Sequence, residues 1–154
     1  MRLIAVALLV VGGLAGCGVT IPSDPEGTLD RVEGGVLRVG VTEHAPFVEV
    51  GPGDPAGDEV DLIAAFADTL DARVAWTVGN EESLASALER GELDVAIGGF
   101  TDATPWAERT ATTVPYRETT GPDGAPEKHV MLVRMGENRF LVALEEFLLE
   151  RGER

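Results

Sequence analysis

Apolar residues along the first two thirds of the chain occur either as short continuous runs or at a spacing of three to four residues. The runs Val36–Val41, Arg73–Val78 and 94–97 have the length of single strands and are rich in β-branched residues, so each predicts a strand. The periodic segments between them, 58–70 and one that ends before Gly91, predict amphipathic helices. The predicted order is therefore strand, helix, strand, helix, strand.

The first of these helices indicates how the elements pack. Leu62, Phe66 and Leu70 recur every fourth residue and form one apolar face that a sheet can cover. Helical crossovers between short strands imply parallel strands with right-handed connections. A further strand over 129–134 and a final amphipathic helix complete the pattern. We therefore predict an α/β fold, a single lobe with a mostly parallel sheet flanked by helices.

Polar residues at the helix ends predict where each helix begins and stops. Asp58 is the expected N-cap of the first long helix, Asn80 or Ser83 that of the second, and Asn138 that of the last. Gly91 fits a left-handed residue that ends the second helix.

The third predicted strand ends in a stretch that suits ligand binding. Gly98 and Gly99 follow the strand directly, and Phe100 and Thr101 come next. Two glycines bring backbone amides to the tip of the sheet, and a hydroxyl group follows two residues later. In open parallel sheets, ligands bind at the carboxyl ends of the strands, and backbone amides there can hold an anion. We predict that this stretch contacts a ligand.

The charge of the chain excludes one class of partner. The 154 residues suffice for one domain and carry a net charge of -15, from 27 acidic and 12 basic residues. The basic residues form no cluster. Nucleic acid binding needs clustered Lys and Arg to neutralise phosphates, so nucleic acid is not an expected partner.

The residues that could carry chemistry are few. The chain has two histidines, His44 and His129, and a single cysteine. Glu43 and His44 are adjacent, and neighbouring side chains on an extended chain point apart, which is unfavourable for metal chelation. No nucleophile with a nearby base is evident, nor is a phosphate-binding loop. We expect a non-catalytic protein with no cofactor and no metal.

The amino terminus has the pattern of a targeting segment. Arg2 precedes an apolar run over 3–11 that is too short to span a bilayer as a stable helix. Residues 14–17 (LAGC) resemble a bacterial lipobox, in which the cysteine receives lipid. The pattern predicts a lipoprotein signal peptide over 1–16, lipidation of Cys17 and a tether over 17–35. The protein would then be extracytoplasmic, anchored on a periplasmic or cell-surface membrane face.

Five short motifs together resemble a known family. They are LRVGV at 37–41, APF at 45–47, EVDL at 59–62, the run 84–101 (LASALERGELDVAIGGFT) and Pro-Tyr at 115–116. In this order and at this spacing they resemble bacterial extracellular solute-binding proteins of family 3, the amino-acid-type receptors of ABC importers. The resemblance implies the fold of a type 2 periplasmic binding protein.

The carboxyl-terminal part of the chain resembles only the end of such a protein. Residues 128–152 are similar to the strand and helix that return to the first lobe in that family. Only 117–127 lies where the family has a whole second lobe, and eleven residues are too few to form one. The resemblance therefore implies a single lobe over 36–152, in which a loop at 117–127 replaces the second lobe.

The resemblance also implies which residues contact a ligand. Thr101 and Gly99 stand where the family holds a ligand carboxylate. Arg109 is the candidate for the carboxylate-binding arginine, although it lies eight residues beyond Thr101 where the family has about five. Glu43 could face an ammonium group. The complete expected set is Glu43, His44, Phe47, Gly99, Phe100, Thr101 and Arg109.

Two functions remain open at the level of sequence. The first is a tethered module that binds amino acids or related small carboxylates in transport or sensing. The second is a protein-interaction lipoprotein whose cleft face docks a permease, a sensor or a second copy. Loss of a second lobe would expose an apolar patch of Phe47, Phe100 and Trp106 that favours such partners.

Overall fold

The computed structural model describes residues 23–151, which fold around one five-stranded sheet. In chain order, the helices and strands are α1 (Thr28–Val32), β1 (Val36–Val41), α2 (Asp58–Thr69), β2 (Arg73–Val78), α3 (Glu81–Glu89), β3 (Val95–Ile97), a 3₁₀ helix (Pro105–Glu108), β4 (Ala111–Thr112), β5 (Arg117–Thr120), β6 (Pro126–His129), β7 (Leu132–Val133) and α4 (Asn138–Arg151). The predicted bounds of β1 and β2 are confirmed. The predicted signal peptide and Cys17 lie outside the described residues.

The strand order in the sheet is β2-β1-β3-β7-β4. β1 pairs in parallel with both β2 and β3, whereas β7 runs antiparallel to its neighbours β3 and β4. Four of the five strands therefore point the same way, and the carboxyl ends of β1 and β3 lie side by side. The predicted fold class, a single α/β lobe with a mostly parallel sheet, is confirmed.

The sheet separates two hydrophobic clusters. Helices α1, α2 and α4 cover one face, where Phe66 contacts the rings of Phe140 and Phe147 at centroid distances of 5.9 and 5.5 Å. Helix α3 covers the other face through Leu84 and Leu88. Gly40 permits this close approach, because a Cβ there would lie 2.8 Å from a methyl group of Leu84.

The helix ends agree with the sequence in two places out of four. Asn80 caps α3, with Oδ1 accepting the Ser83 N–H at 2.8 Å, and Gly91 follows with φ +69°. The N-cap of α2 is Gly57 rather than the predicted Asp58, which is the first helical residue. The Asp58 carboxylate pairs instead with the guanidinium of Arg117 at 2.6 Å.

The predicted tether over 17–35 is too long, because residues from Asp24 onward are part of the lobe. Asp24 Oδ2 accepts the N–H of Leu29 at 2.8 Å, close to the start of α1. Its other oxygen accepts the N–H groups of Arg139 and Phe140 at 2.8 and 3.1 Å. One carboxylate thus satisfies the first turns of two helices, which is the role predicted for Asn138 in α4.

Glu137 makes the matching contact in the opposite direction. Its carboxylate accepts the N–H groups of Glu26 and Thr28 at 3.1 Å each. Burial raises the pKa of Glu137, but these hydrogen bonds outweigh the effect of burial and hold the pKa below its usual value. The carboxylate therefore stabilises the fold above the ordinary pKa of glutamate, and this contribution is lost as the pH falls through the lowered value.

Asp24→Ala is expected to lower the free energy of unfolding by about 1–2 kcal/mol, since it removes a capping carboxylate from two helices. Chemical denaturation of the wild type and the variant measures this loss. Glu33→Ala, at an exposed glutamate that follows α1, is the control and should change little. Equal stability of Asp24→Ala and the control would contradict the capping role.

The segment predicted to be a loop at 117–127 forms most of a β-hairpin. β5 and β6 pair antiparallel from Arg117 opposite His129 to Thr120 opposite Pro126, with the turn between them. The predicted strand 129–134 is also divided, because the chain leaves β6 at His129 and enters the sheet as β7. The stretch that stands in place of a second lobe is therefore a defined structure.

Candidate functional site

A pocket of about 260 Å³ lies at the carboxyl ends of β1 and β3. The loop after β3 and the loop after β1 both contribute to it, and four predicted residues line it: His44, Gly99, Phe100 and Thr101. Sequence reasoning missed the other lining residues, which are Glu81, Ala103, Thr104, Pro105 and Glu127. The tip of β3 is thus part of a pocket, as the two glycines and the threonine predicted.

The hairpin is joined to this pocket by main-chain hydrogen bonds. The Asp102 N–H donates to the Lys128 carbonyl at 2.9 Å, and the Val130 N–H donates to the Phe100 carbonyl at 2.9 Å. Thr101 lies opposite His129 as an isolated antiparallel bridge. The end of the hairpin therefore pairs with residues 100–102 of the loop after β3, which is called the ligand loop below, and brings Glu127 into the lining.

Glu59 fixes the tip of β3 from below. Its Oε2 accepts the N–H groups of Gly98 and Gly99 at 2.7 and 3.0 Å, and the Tyr116 hydroxyl donates to its Oε1. The carboxylate is fully buried. The backbone amides that the sequence predicted to be open to a ligand are therefore already occupied by a protein carboxylate.

The pKa values around this contact reflect its burial. Burial raises the pKa of Glu59, although the hydrogen bonds from Tyr116, Gly99 and Gly98 oppose the shift. Burial and the neighbouring Glu59 charge raise the pKa of the Tyr116 hydroxyl, so it remains a donor throughout the physiological range. A glutamate in the first turn of a helix is also favoured by the helix dipole, so the sequence alone did not distinguish this role.

Aromatic rings support the pocket on the side of the hairpin. The buried Phe47 ring lies 4.2 Å from the His129 ring and 5.7 Å from the His44 ring, measured between centroids. His129 Nε2 is 2.8 Å from the Thr119 hydroxyl, and its Nδ1 has no hydrogen-bond partner among the described residues. Burial lowers the pKa of His129, so the ring is neutral near pH 7.

A comparison with known protein families identifies the family of this chain. The model of the bacterial extracellular solute-binding proteins, family 3, matches residues 37–151. This chain belongs to that family. Its sequence resemblance to the family is therefore confirmed, and it extends through the hairpin and α4.

The chain is also similar to parts of longer curated proteins. The chain is 33% identical over 92 residues to the membrane-bound lytic murein transglycosylase F of Vibrio cholerae, a match that covers 58% of this chain and 17% of the relative. It is 34% identical over 90 residues to the protein of that name from Aliivibrio fischeri, covering 57% and 18%. The chain thus spans about a fifth or less of the length of the curated relatives that it matches.

Solved structures include single lobes of similar shape. The arginine-bound form of domain 1 from TmArgBP superposes with a TM-score of 0.69 and 26% identity, covering 79% of this chain and 97% of that one. A truncated arginine-bound ArgBP from T. maritima has a TM-score of 0.68 at 15% identity, which shows the fold alone. The solute-binding fold of this chain matches nearly the whole of an isolated first domain.

Three predicted family-type ligand residues lie outside the lining of the pocket. Glu43 Oε2 accepts the Val50 N–H of its own loop at 2.6 Å, and Phe47 packs beneath the loop. Arg109 donates to the Ser86 hydroxyl at 3.0 Å and pairs with Glu89 on the flank of α3. The structure thus brings four of the seven predicted residues together and leaves these three apart.

The predicted apolar patch on the cleft face is not exposed. Phe47 and Phe100 are only 6% and 4% exposed, and Trp106 is half-buried. Phe47 packs on His129 of the hairpin, and Phe100 belongs to the cluster beneath α3. The expectation of an uncovered face was wrong because the hairpin and the neighbouring loops cover these rings.

Proposed function

We propose that this chain is a membrane-tethered, non-catalytic, extracytoplasmic lobe that binds an amino acid or a related small molecule at the strand-end pocket. The observation that carries the proposal is the similarity to an isolated first domain whose solved structure holds arginine. That comparison supports the idea that one lobe of this family suffices for ligand binding. The role lies in transport or sensing.

The volume of the site suits a small ligand. At about 260 Å³ the pocket is slightly smaller than typical small-molecule sites, which favours a single amino acid over a peptide. A single lobe also buries less of its ligand than two closing lobes would. We therefore expect dissociation constants of roughly 10 µM to 1 mM.

The position of the amino terminus supports a pocket that faces away from the membrane. The Ser23 carbonyl accepts the N–H of Asn138, and α4 begins just after the end of β7, beside the start of β3. These residues lie at the amino-terminal ends of the parallel strands, on the opposite side of the lobe from the pocket. If Cys17 carries lipid, residues 17–22 can span at most about 20 Å. The side of the lobe opposite the pocket would then lie next to the bilayer. None of the helices within 23–151 is long and apolar enough to cross a membrane.

The alternative of a docking lipoprotein is less well supported. It depended on an exposed patch of Phe47, Phe100 and Trp106, and two of these rings are buried. The larger exposed apolar side chains of the described residues lie on separate parts of the chain: Val78 on β2, Val114 between β4 and β5, Met135 between β7 and α4, and Leu149 on α4. No specific observation favours a permease, a sensor or a second copy as the occupant of the cleft face.

Isothermal titration of residues 18–154 with single amino acids and small carboxylates tests the proposal. We expect at least one of them to bind, and Thr101→Val to weaken that binding because it removes a hydroxyl from the pocket lining. Thr77→Val, at an exposed position on β2, is the matched control. Digestion of purified murein by this protein would overturn the non-catalytic part, and absence of binding at millimolar ligand would overturn the binding part.

A further inference from the structure

We propose that the pocket selects a small organic cation, an ammonium or guanidinium group, which Glu81 and Glu127 hold from two sides. The inference rests on the proposed function, because it names the ligand class of the same site. It also assigns a role to the hairpin, which provides through Glu127 the wall that a second lobe would otherwise supply.

The charge of the lining is the first observation that carries this inference. Among the described residues, Glu81 and Glu127 are the two acidic residues of the lining, and neither Lys nor Arg lines the pocket. Two other candidate arginines are engaged elsewhere. Arg109 pairs with Glu89 on α3, and Arg117 pairs with Asp58. An anionic group in the pocket would thus meet two carboxylates and no fixed cation.

The occupied amides at the tip of β3 strengthen the same conclusion. A ligand carboxylate commonly binds backbone N–H groups at a strand or helix end. Here the N–H groups of Gly98 and Gly99 donate to Glu59, a buried residue of the lobe itself. Thr101 and Thr104 remain as side-chain donors for a carboxylate. The charged end of the ligand that the pocket recognises most strongly is therefore the positive end.

Both carboxylates are held by the fold. Glu81 begins α3 directly after its cap Asn80, and its Oε2 accepts the indole N–H of Trp106 at 2.8 Å. Its other oxygen accepts no hydrogen bond within residues 23–151 and can accept one from a ligand. Glu127 lies opposite Thr119 in the hairpin, two residues before the buried His129. Since alternate residues of a strand share a face, Glu127 is on the same side of the hairpin as His129 and faces the ligand loop.

The attachment of the hairpin makes it a wall rather than a mobile arm. The hydrogen bond from the Asp102 N–H to the Lys128 carbonyl and the bridge between Thr101 and His129 attach the strand one and two residues after Glu127. The side chain of Glu127 also packs against Gly121 in the hairpin turn. A carboxylate in this position can contact a ligand without the closure of a second lobe.

Four compounds of similar size separate the contributions of the two ends of a ligand. Arginine carries both charged ends, agmatine lacks the carboxylate, citrulline has a neutral urea in place of the guanidinium, and glutamate reverses the charge of the side chain. Isothermal titration of residues 18–154 with each of them should show arginine and agmatine binding within a few-fold of each other. We expect citrulline to bind at least tenfold more weakly than arginine, and glutamate more weakly still.

Two pairs of variants test the residues themselves. Glu81→Gln and Glu127→Gln are each expected to weaken arginine binding by about five- to twentyfold, since each removes one negative charge and keeps the shape. Glu82→Gln, the neighbour on α3, and Glu118→Gln, on the other face of the hairpin, are exposed and serve as matched controls. Thermal unfolding of all four variants confirms that they are folded before binding is compared.

The outcomes distinguish the two proposals. If neither these four compounds nor the other amino acids and small carboxylates bind, the proposed function itself fails; if only other members of that wider panel bind, the selection of a cation alone is refuted. If citrulline or glutamate binds as tightly as arginine, or if both glutamate variants bind arginine as the wild type does, the lobe is a binding module but its selection of a cation is refuted. Weak binding of agmatine beside tight binding of citrulline would likewise show that the carboxylate anchors the ligand.

Discussion

Asp94→Ala is expected to lower the free energy of unfolding by about 2–4 kcal/mol, among the largest effects of any single substitution in this lobe. Asp94 is only 1% exposed. Its carboxylate accepts hydrogen bonds from the Arg38 N–H at 2.9 Å, from the Arg38 guanidinium at 2.6 Å and from the Arg31 guanidinium. Removal of the carboxylate leaves a main-chain donor and two cations without their shared partner.

The exposure of the two arginines limits the expected loss. The side chains of Arg31 and Arg38 are 40% and 34% exposed, so water can solvate part of each guanidinium in the variant. The loss of stability therefore stays below that expected for a wholly buried ion pair. Urea denaturation followed by circular dichroism measures the difference. Asp68→Ala, an exposed aspartate on α2, is the control and should change stability by less than about 0.5 kcal/mol. A loss no larger than that of the control would show that this network adds nothing to stability.

Glu59→Ala is expected to destabilise the lobe by about 3 kcal/mol and to abolish ligand binding. It leaves the Gly98 and Gly99 N–H groups and the Tyr116 hydroxyl buried without their acceptor. Because the first two groups belong to the tip of β3, the loop that carries Thr101 loses its support. Denaturation and titration with arginine measure the two effects. A variant that binds arginine as the wild type does would refute the positioning role.

Glu59→Gln serves as the matched variant and adds a pH dependence of defined sign. The amide oxygen can accept the glycine N–H groups, and the amide nitrogen can donate to the Tyr116 oxygen, so we expect a loss of only about 1 kcal/mol at neutral pH. The wild-type residue has its pKa raised above the ordinary 4.5 by burial. The folded protein therefore binds this proton more tightly than the unfolded chain does.

The contribution of Glu59 to stability is fully present below about pH 4.5 and is lost as the pH rises through the raised pKa. The glutamine variant has no such titration. The free energy of unfolding of the wild type relative to Glu59→Gln should thus decrease from pH 4 towards pH 7. Denaturation curves of both proteins at several pH values test this, and a constant difference would show that the pKa is the same in the folded and unfolded states.

The hairpin explains how a family lobe without its second half keeps a covered site. Phe47 packs on His129 of β6, and Thr119 of β5 contacts the same imidazole. A short antiparallel pair can do this because β6 continues into the main-chain pairing of the ligand loop. The site that the sequence suggested would be open on one side is therefore bounded by Glu127.

Some residues of the pocket could be predicted from their local sequence, whereas others could not. Gly99 and Thr101 were found from sequence because the local pattern of a strand followed by two glycines and a hydroxyl already suggests a strand tip. Glu81 and Glu127 were missed because their sequence context is that of ordinary surface glutamates. Glu81 stands at the start of a predicted helix, and Glu127 stands in a predicted polar loop. Arg109 was assigned to the site from the family resemblance in spite of its spacing, but Ser86 and Glu89 on α3 bind its guanidinium.

Several features could be predicted from the order of residues alone: the strands Val36–Val41 and Arg73–Val78, the amphipathic helices between the strands, the cap Asn80 and the family. These follow from residue periodicity and turn chemistry, which act over a few neighbouring positions. The polar groups that contact one another across the lobe are known only from the folded structure. Glu59 contacts Gly98 across 39 residues and Glu137 contacts Thr28 across 109, and local patterns carry no information about such partners.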